Sequence, residues 1–209
     1  MMSWLRFPRA QGSLELPLFP LKTVLFPGGV LPLKIFEQRY LDMAADRFKA
    51  EQPFGICLLT KGEEVVTEKN APVSFASIGT LAHTKSWDMP QLGILHLSVE
   101  GGQRFQVRSQ REQDDGLILA EVQLLANEPT AKITEAQEPM ARLLELLISR
   151  IGDERFGTTR QFDEASWVSY RLAEILPLKA SIKQTMLEVN DCEVRLRVLE
   201  QYLKREGLL

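Results

Sequence analysis

The sequence predicts an α+β protein. A β-rich N-terminal lobe closes into a small barrel and carries one helix, and an α-helical bundle lobe follows it. Two observations predict this. Up to about residue 126 the apolar residues come in short runs cut by prolines, glycines and turn signals, and after Thr134 they recur at helical spacing. A length of 209 residues with 44% hydrophobic and 25% charged residues is enough for a sizeable core, so neither a disulfide nor a metal is needed as a staple. The expected division is residues 14–126 for the β lobe and 127–209 for the helical lobe.

The segment from Leu16 to Met43 sets the pattern of the first lobe. Prolines at 17, 20, 27 and 32 and the pair Gly28-Gly29 interrupt an otherwise apolar stretch. Proline has a fixed φ and no backbone donor, so this stretch cannot be one long strand or a helix. It reads as strands at Leu14–Phe19 and Val30–Leu33 running into a helix over Phe36–Ala50, where Tyr40, Met43, Ala44 and Phe48 fall near helical spacing. Phe54–Thr60 is an apolar strand, with Cys57 expected as a buried thiol. Residues 63–70 form a polar connection. Val73–Thr84 and Leu92–Val99 read as strands around a loop at Trp87–Pro90. Gly101-Gly102 is a turn or bulge, and Phe105 and Val107 share one face of the strand Gln103–Arg108. Asp115-Gly116 marks a tight hairpin turn leading to a return strand over Leu117–Leu125.

Past Ala131 the period changes. Met140, Leu143, Leu144, Leu147, Ile148 and Ile151 define a helix over Thr134–Arg150, with a capping box from Thr134 and Gln137. Asp163 is placed to cap a second helix that Pro177 ends. Ser181 opens a third, expected to run unbroken to about Lys204.

The chemistry-bearing residues are sparse. There is no G-x-x-x-x-G-K-[ST] loop, G-x-S-x-G elbow, S-x-x-K pair, H-E-x-x-H or C-x-x-C. His83 and His96 would face each other if the 87–90 loop joined paired strands, but no further metal ligand is evidently placed beside them. The paired carboxylates Glu63-Glu64, Asp114-Asp115 and Asp153-Glu154 lie in predicted turns and read as solvated charge. Cys57 and Cys192 are far apart, and a disulfide is not expected. No cofactor is expected. The net charge of −3 argues against nucleic acid, whose binding rests largely on phosphate neutralisation. No run approaches the length of a membrane helix and no targeting segment is evident, so a cytoplasmic location is expected.

Three stretches carry a resemblance that covers residues 14 to 203. The first is Leu16–Leu21, Val24-Leu25, Pro27-Gly28, Leu31–Leu33 and Ile35–Tyr40. The second is Val99–Phe105, and the third is Leu176-Pro177-Leu178 with Lys183-Gln184. Together they resemble the N-terminal domain of Lon-type ATP-dependent proteases. The resemblance implies a PUA-like barrel beside a helical bundle, and a non-catalytic module that recognises unfolded or exposed polypeptide segments or a protein partner. The ATPase and Ser-Lys protease modules of full Lon enzymes would start where this chain ends, so neither ATP hydrolysis nor peptide cleavage is expected of it. Monomer or weak dimer is expected. PUA-like barrels also suggest RNA binding as an alternative, for which Arg104, Arg108 and Arg111 offer a thin basic stripe.

The expected peptide-binding residues are Phe26 and Pro27 in the apolar loop, Glu37, Arg39 and Tyr40 at the start of the early helix, and Arg104 after the glycine pair. Arg104 could hold a peptide carboxylate or carbonyl, or pair with an acidic neighbour such as Glu100. Glu37 could serve only the helix N-terminus, and Tyr40 only packing.

Overall fold

A computed structural model describes residues 13–61, 74–152, 156 and 160–209. The strands are β1 (Ser13–Leu21), β2 (Val30–Ile35), β3 (Phe54–Lys61), β4 (Ser74–Gln91), β5 (Ile94–Glu112) and β6 (Ile118–Leu124). The helices are α1 (Gln38–Lys49), α2 (Glu138–Ile151), α3 (Ala165–Ile175), α4 (Ala180–Glu188) and α5 (Cys192–Arg205). Among the described residues the fold is mixed α+β, with a six-stranded sheet and these five helices.

Sheet order is β2-β5-β4-β3-β1-β6, and β5 also pairs with β6, so the pairing of five strands closes on itself. Two long strands make closure possible. The first half of β5 pairs with β2 and its second half with β6, so one strand serves two neighbours in succession. The β3–β4 ladder ends at Phe54↔Ala82, which among the described residues leaves β4 beyond Ala82 paired only with β5.

The hairpin tip differs from expectation. Residues 87–90 belong to β4, with Trp87 opposite Leu97 and Asp88 opposite His96, and the turn falls at Leu92-Gly93. Gly93 takes a positive φ of 81°, which glycine tolerates without steric cost. This register separates the histidines: His83 faces Glu100, and His96 lies between Lys34 and Asp88. Gly101-Gly102 is a bulge inside β5, where the register slips between Thr80 and Ala82. Gly101 also exchanges backbone hydrogen bonds with the 26–29 loop, from Gly28 N at 2.7 Å and to Gly29 O at 2.8 Å. A Cβ on Gly101 would run into the Phe26 carbonyl oxygen, so this close approach requires glycine.

Helix α1 begins at Gln38, two residues later than the periodicity suggested, because Glu37 is still extended at ψ 132°. The turn over 134–137 precedes α2 rather than belonging to it. Half of the predicted capping box is present: Thr134 N donates to Gln137 Oε1 at 3.0 Å. Glu164, not Asp163, caps α3 by accepting from Trp167 N, while the Asp163 carbonyl accepts from Ile133 N. The expected single C-terminal helix is two. Val189 is extended, and Asp191 caps α5 by accepting from Glu193 N and Val194 N. An Asn-Asp pair competes well for backbone donors, and here it starts a new helix. Asp191→Ala is expected to cost about 1 kcal/mol of unfolding free energy, measured by urea denaturation.

Three apolar clusters hold the chain together. One lies inside the closed strands around Leu16, Leu18, Phe105 and Val122, and a second lies between α1 and the β2–β5–β4 wing. The largest joins all four C-terminal helices to Val24, Phe26 and Leu58, with Ala76 and Ile78 of β4 against it. The helices are thus packed on the sheet through a shared core. Cys57 and Cys192 are free and buried, and burial pushes both thiols up. The 63–70 connection and the carboxylates Glu63-Glu64 and Asp153-Glu154 lie outside the described residues.

Candidate functional site

The expected site residues fall into two separate places. Phe26 is fully buried, its ring 5.5 Å from that of Tyr170 in the core shared by sheet and helices. Pro27 is half-buried beside it, and its carbonyl accepts from the buried Arg171 at 2.8 Å. Arg104 is buried too. Its guanidinium donates to the carbonyls of Leu187 at 2.8 Å and Val189 at 3.2 Å and to Asn190 Oδ1, and it lies 3.8 Å from Glu128. It does not pair with Glu100, and of its partners Asn190 lies at the surface. The break between α4 and α5 supplies the carbonyls it needs.

Glu128 is the centre of this buried cluster. Arg195 donates to both of its oxygens, at 2.5 and 2.6 Å, Tyr170 Oη donates at 2.6 Å and Ser166 Oγ at 2.9 Å. The Arg195 guanidinium also stacks 3.9 Å from the Tyr170 ring centroid. Burial alone would raise the Glu128 carboxyl. The hydrogen bonds from Arg195 and Tyr170, with the charge of Arg195, outweigh it and hold the group below its ordinary value. Pro27, Arg104, Glu128, Trp167 and Tyr170 line a polar recess of about 270 Å³ here, but its charges already satisfy one another. The cluster ties β5 and the 127–128 segment to α3, α4 and α5.

Glu37, Arg39 and Tyr40 do adjoin. Arg39 ion-pairs with Glu37 at 2.8 Å, donates to the Gly116 carbonyl at 2.8 Å, and sits 4.5 Å from the Tyr40 ring centroid. Tyr40 itself is buried, 4.2 Å from Phe19 by ring centroids, and desolvation pushes its phenol up to about 12. This trio fastens α1 to the β5–β6 turn.

A cluster of exposed apolar side chains lies on the other face of α1. Phe48 and Trp87 are each 51% exposed, Met89 42% and Leu92 94%. Together with Leu41, Ala44 and Ala45, and with Leu95 and Leu97 as the floor, they line a recess of about 590 Å³ between α1 and the β4–β5 tip. Phe48 and Trp87 meet edge to face at 5.8 Å across one end. Exposed apolar side chains gathered around a concavity mark interaction sites far more often than single ones do. The signal was present in the sequence. Trp87, Met89 and Leu92 crowd three large apolar residues into six positions, and Leu41, Ala45 and Phe48 form a second stripe at i, i+4, i+7 beside the buried one.

The basic stripe suggested for RNA does not exist as a surface. Arg104 is buried, Arg111 pairs with Glu15 at 3.3 Å, and Arg108 donates to Gln123. Among the described residues no group of three or more His, Cys, Asp or Glu side chains could hold a metal ion, and no helix is long and apolar enough to cross a membrane.

Known proteins place this fold. A crystal structure of a Lon N-terminal domain protein from Xanthomonas campestris superposes with a TM-score of 0.72 at 31% identity, covering 90% of this chain and 98% of that one. The N-terminal domain of a Mycobacterium avium complex Lon protease shares the fold, with a TM-score of 0.59 at 20% identity over 91% of this chain and 98% of that one. Lon protease of Brevibacillus choshinensis is 27% identical over 93% of this chain, and Lon protease 2 of Herpetosiphon aurantiacus 29% over 94%. The chain spans about a quarter of the length of these curated relatives, 25% and 24% respectively. Residues 15–205 match the family model of the ATP-dependent protease La (LON) substrate-binding domain, and the chain belongs to that family.

Proposed function

We propose that this chain is a non-catalytic module that binds exposed apolar segments of unfolded polypeptide. The α1–hairpin recess is its main contact surface. The observation that carries this reading is the cluster of Phe48, Trp87, Met89 and Leu92, large apolar side chains held in water around a concave floor. Family membership supports a substrate-binding role. In this reading the closed strands are a PUA-like barrel lobe over 14–126, the helices a bundle over 127–209, and the protein a cytoplasmic monomer or weak dimer. The Glu37–Arg39 pair lies on the face of α1 away from the recess and, with Phe26, Pro27, Tyr40 and Arg104, acts indirectly by fixing α1 and the lobe junction.

The test is fluorescence anisotropy of reduced, alkylated, labelled lactalbumin titrated with the protein at low and high salt without ATP. Apolar contacts are weakly screened, so saturable binding that persists at high salt is expected. Phe48→Ser and Trp87→Ser are each expected to weaken it about tenfold, the effect of losing part of one buried aromatic side chain. Both side chains are half-exposed, so the melting temperature is expected to stay nearly unchanged. Loss of binding at modest salt, or equal affinity in both variants, would overturn this reading.

A further inference from the structure

The way a segment would sit in the recess follows from what surrounds it. Among the described residues two strand edges nearby have no partner strand, and both are blunted. On β2, which among the described residues pairs only with β5, Pro32 and Lys34 occupy the edge strand. On β4 beyond Ala82, the register slips between Thr84 and Ser86 and again between Asp88 and Gln91, with Lys85 and Pro90 at the slips. Bulges, prolines and lysines on an edge are the devices that discourage an added strand. An extended peptide therefore finds poor backbone partners here.

A helix finds a matching wall. Gln38, Leu41, Asp42, Ala45, Phe48 and Lys49 all line the recess from α1. They follow the i, i+3, i+4, i+7 rows of one helix face over an axial length of about 16 Å. Ala45 at the centre lets a second helix axis come close, as helix pairs require. The wall is apolar in the middle and charged at its ends, with Asp42 towards the N-terminus and Lys49 at the C-terminus. Among the described residues neither makes an ion pair, and Asp42 accepts only from Gln38, at 2.8 Å. A helix antiparallel to α1 would set its first turn beside Lys49 and its last beside Asp42. Acidic residues in its first turn and basic ones in its last would then meet opposite charges, and the same placement suits the incoming helix's own dipole. A strip about 16 Å by one helix width of about 10 Å falls well short of the roughly 800 Å² a side of a standard interface, so a single short element fits it better than a second copy.

We infer, resting on the polypeptide-binding reading above, that the recess takes a three-turn amphipathic helix. That helix lies antiparallel to α1, with an acidic first turn, an apolar i, i+4, i+7 stripe and a basic last turn. The occupant is a helix-forming segment of a client polypeptide.

Three labelled fourteen-residue peptides of one composition test this by anisotropy, run beside labelled lactalbumin. The first has the helical apolar stripe with glutamates first and lysines last. The second has the same stripe with those charges exchanged, and the third alternates apolar and polar residues. The first is expected to bind about tenfold tighter than the alternating peptide, as when one more apolar side chain is buried, and to gain helical circular dichroism on binding. The charge-exchanged peptide is expected to bind about threefold more weakly than the first. The double variant Asp42→Lys/Lys49→Glu is expected to reverse that preference, a result that mere loss of folding cannot produce. Equal or tighter binding of the alternating peptide, or an unreversed preference in the double variant, would overturn the helix inference while lactalbumin binding leaves the wider reading standing. Failure of both lactalbumin and the helical peptides to bind would overturn the wider reading, and this inference with it.

Discussion

Replacing Glu128 by glutamine is expected to lower the unfolding free energy by about 3–5 kcal/mol, because it leaves Arg195 buried without its partner charge. Arg195 is fully buried and Glu128 nearly so, so water cannot substitute for the lost carboxylate. For a chain of this length that loss corresponds to a fall of roughly 6–20 °C in melting temperature. Arg195→Met should cost a similar amount. The double variant Glu128→Gln/Arg195→Met should cost less than the two singles added, since removing both charges of a buried pair avoids an orphaned one. A thermal melt of the four proteins measures the coupling, and strict additivity would show that the pair is not linked in the folded state.

The same carboxylate sets an acid limit. The Glu128 pKa is lower in the folded protein than its ordinary value of 4.5, so the unfolded chain binds that proton more readily. The stabilisation is therefore whole above about pH 4.5 and is lost as pH falls through the lower folded value. Melting temperature followed from pH 7 down to pH 3 is expected to drop more steeply below pH 4.5 in the wild type than in Glu128→Gln. Parallel curves would mean that another group carries the acid sensitivity.

The second large effect belongs to Phe26. Its ring is fully buried against Tyr170 in the cluster that joins the helices to the sheet. Phe26→Ala is expected to cost about 3–5 kcal/mol, the transfer term plus the cavity left in a packed core. Phe26→Leu should cost less than about 1.5 kcal/mol where the site repacks. Urea midpoints for the two variants check this, with lactalbumin affinity measured under conditions where both are folded. A direct peptide contact would show the opposite pattern, with affinity lost and the urea midpoint unchanged.

These expectations separate what could be read along the chain from what could not. The placement of the strands and one helix before residue 126 and of the other helices after it follows from local rules. Prolines at 17, 20, 27 and 32 forbid long regular elements, and the stripe from Met140 to Ile151 permits only a helix. Family membership was likewise legible, because the Leu16–Tyr40 pattern combines proline and glycine positions with specific apolar ones. The break at Val189–Asp191 was not read. Its apolar stripe continues across it, and the cap is stabilised by Arg104 and Arg195, which reach the Val189 carbonyl from distant parts of the chain. Nor did the spacing show that Arg104 points inward, since a strand alternates faces and a bulge at Gly101-Gly102 resets which face is which, or that Phe26, in the loop between β1 and β2, is covered by Tyr170 of α3.

By itself, then, the sequence determined the mixed α+β class, the change from a strand-rich to a helical part near residue 126, and the family. These depend on backbone limits and periodicities that act within a few residues. Only the tertiary structure decided which apolar residues remain in water. Trp87, Met89 and Leu92 become a surface because β3 stops pairing at Ala82 and β4 runs on past it. Phe48 joins them because α1 spends its Tyr40–Met43–Ala44 stripe on the sheet and leaves the next stripe uncovered. Burial is settled by which elements meet, and that is a property of the whole packed chain.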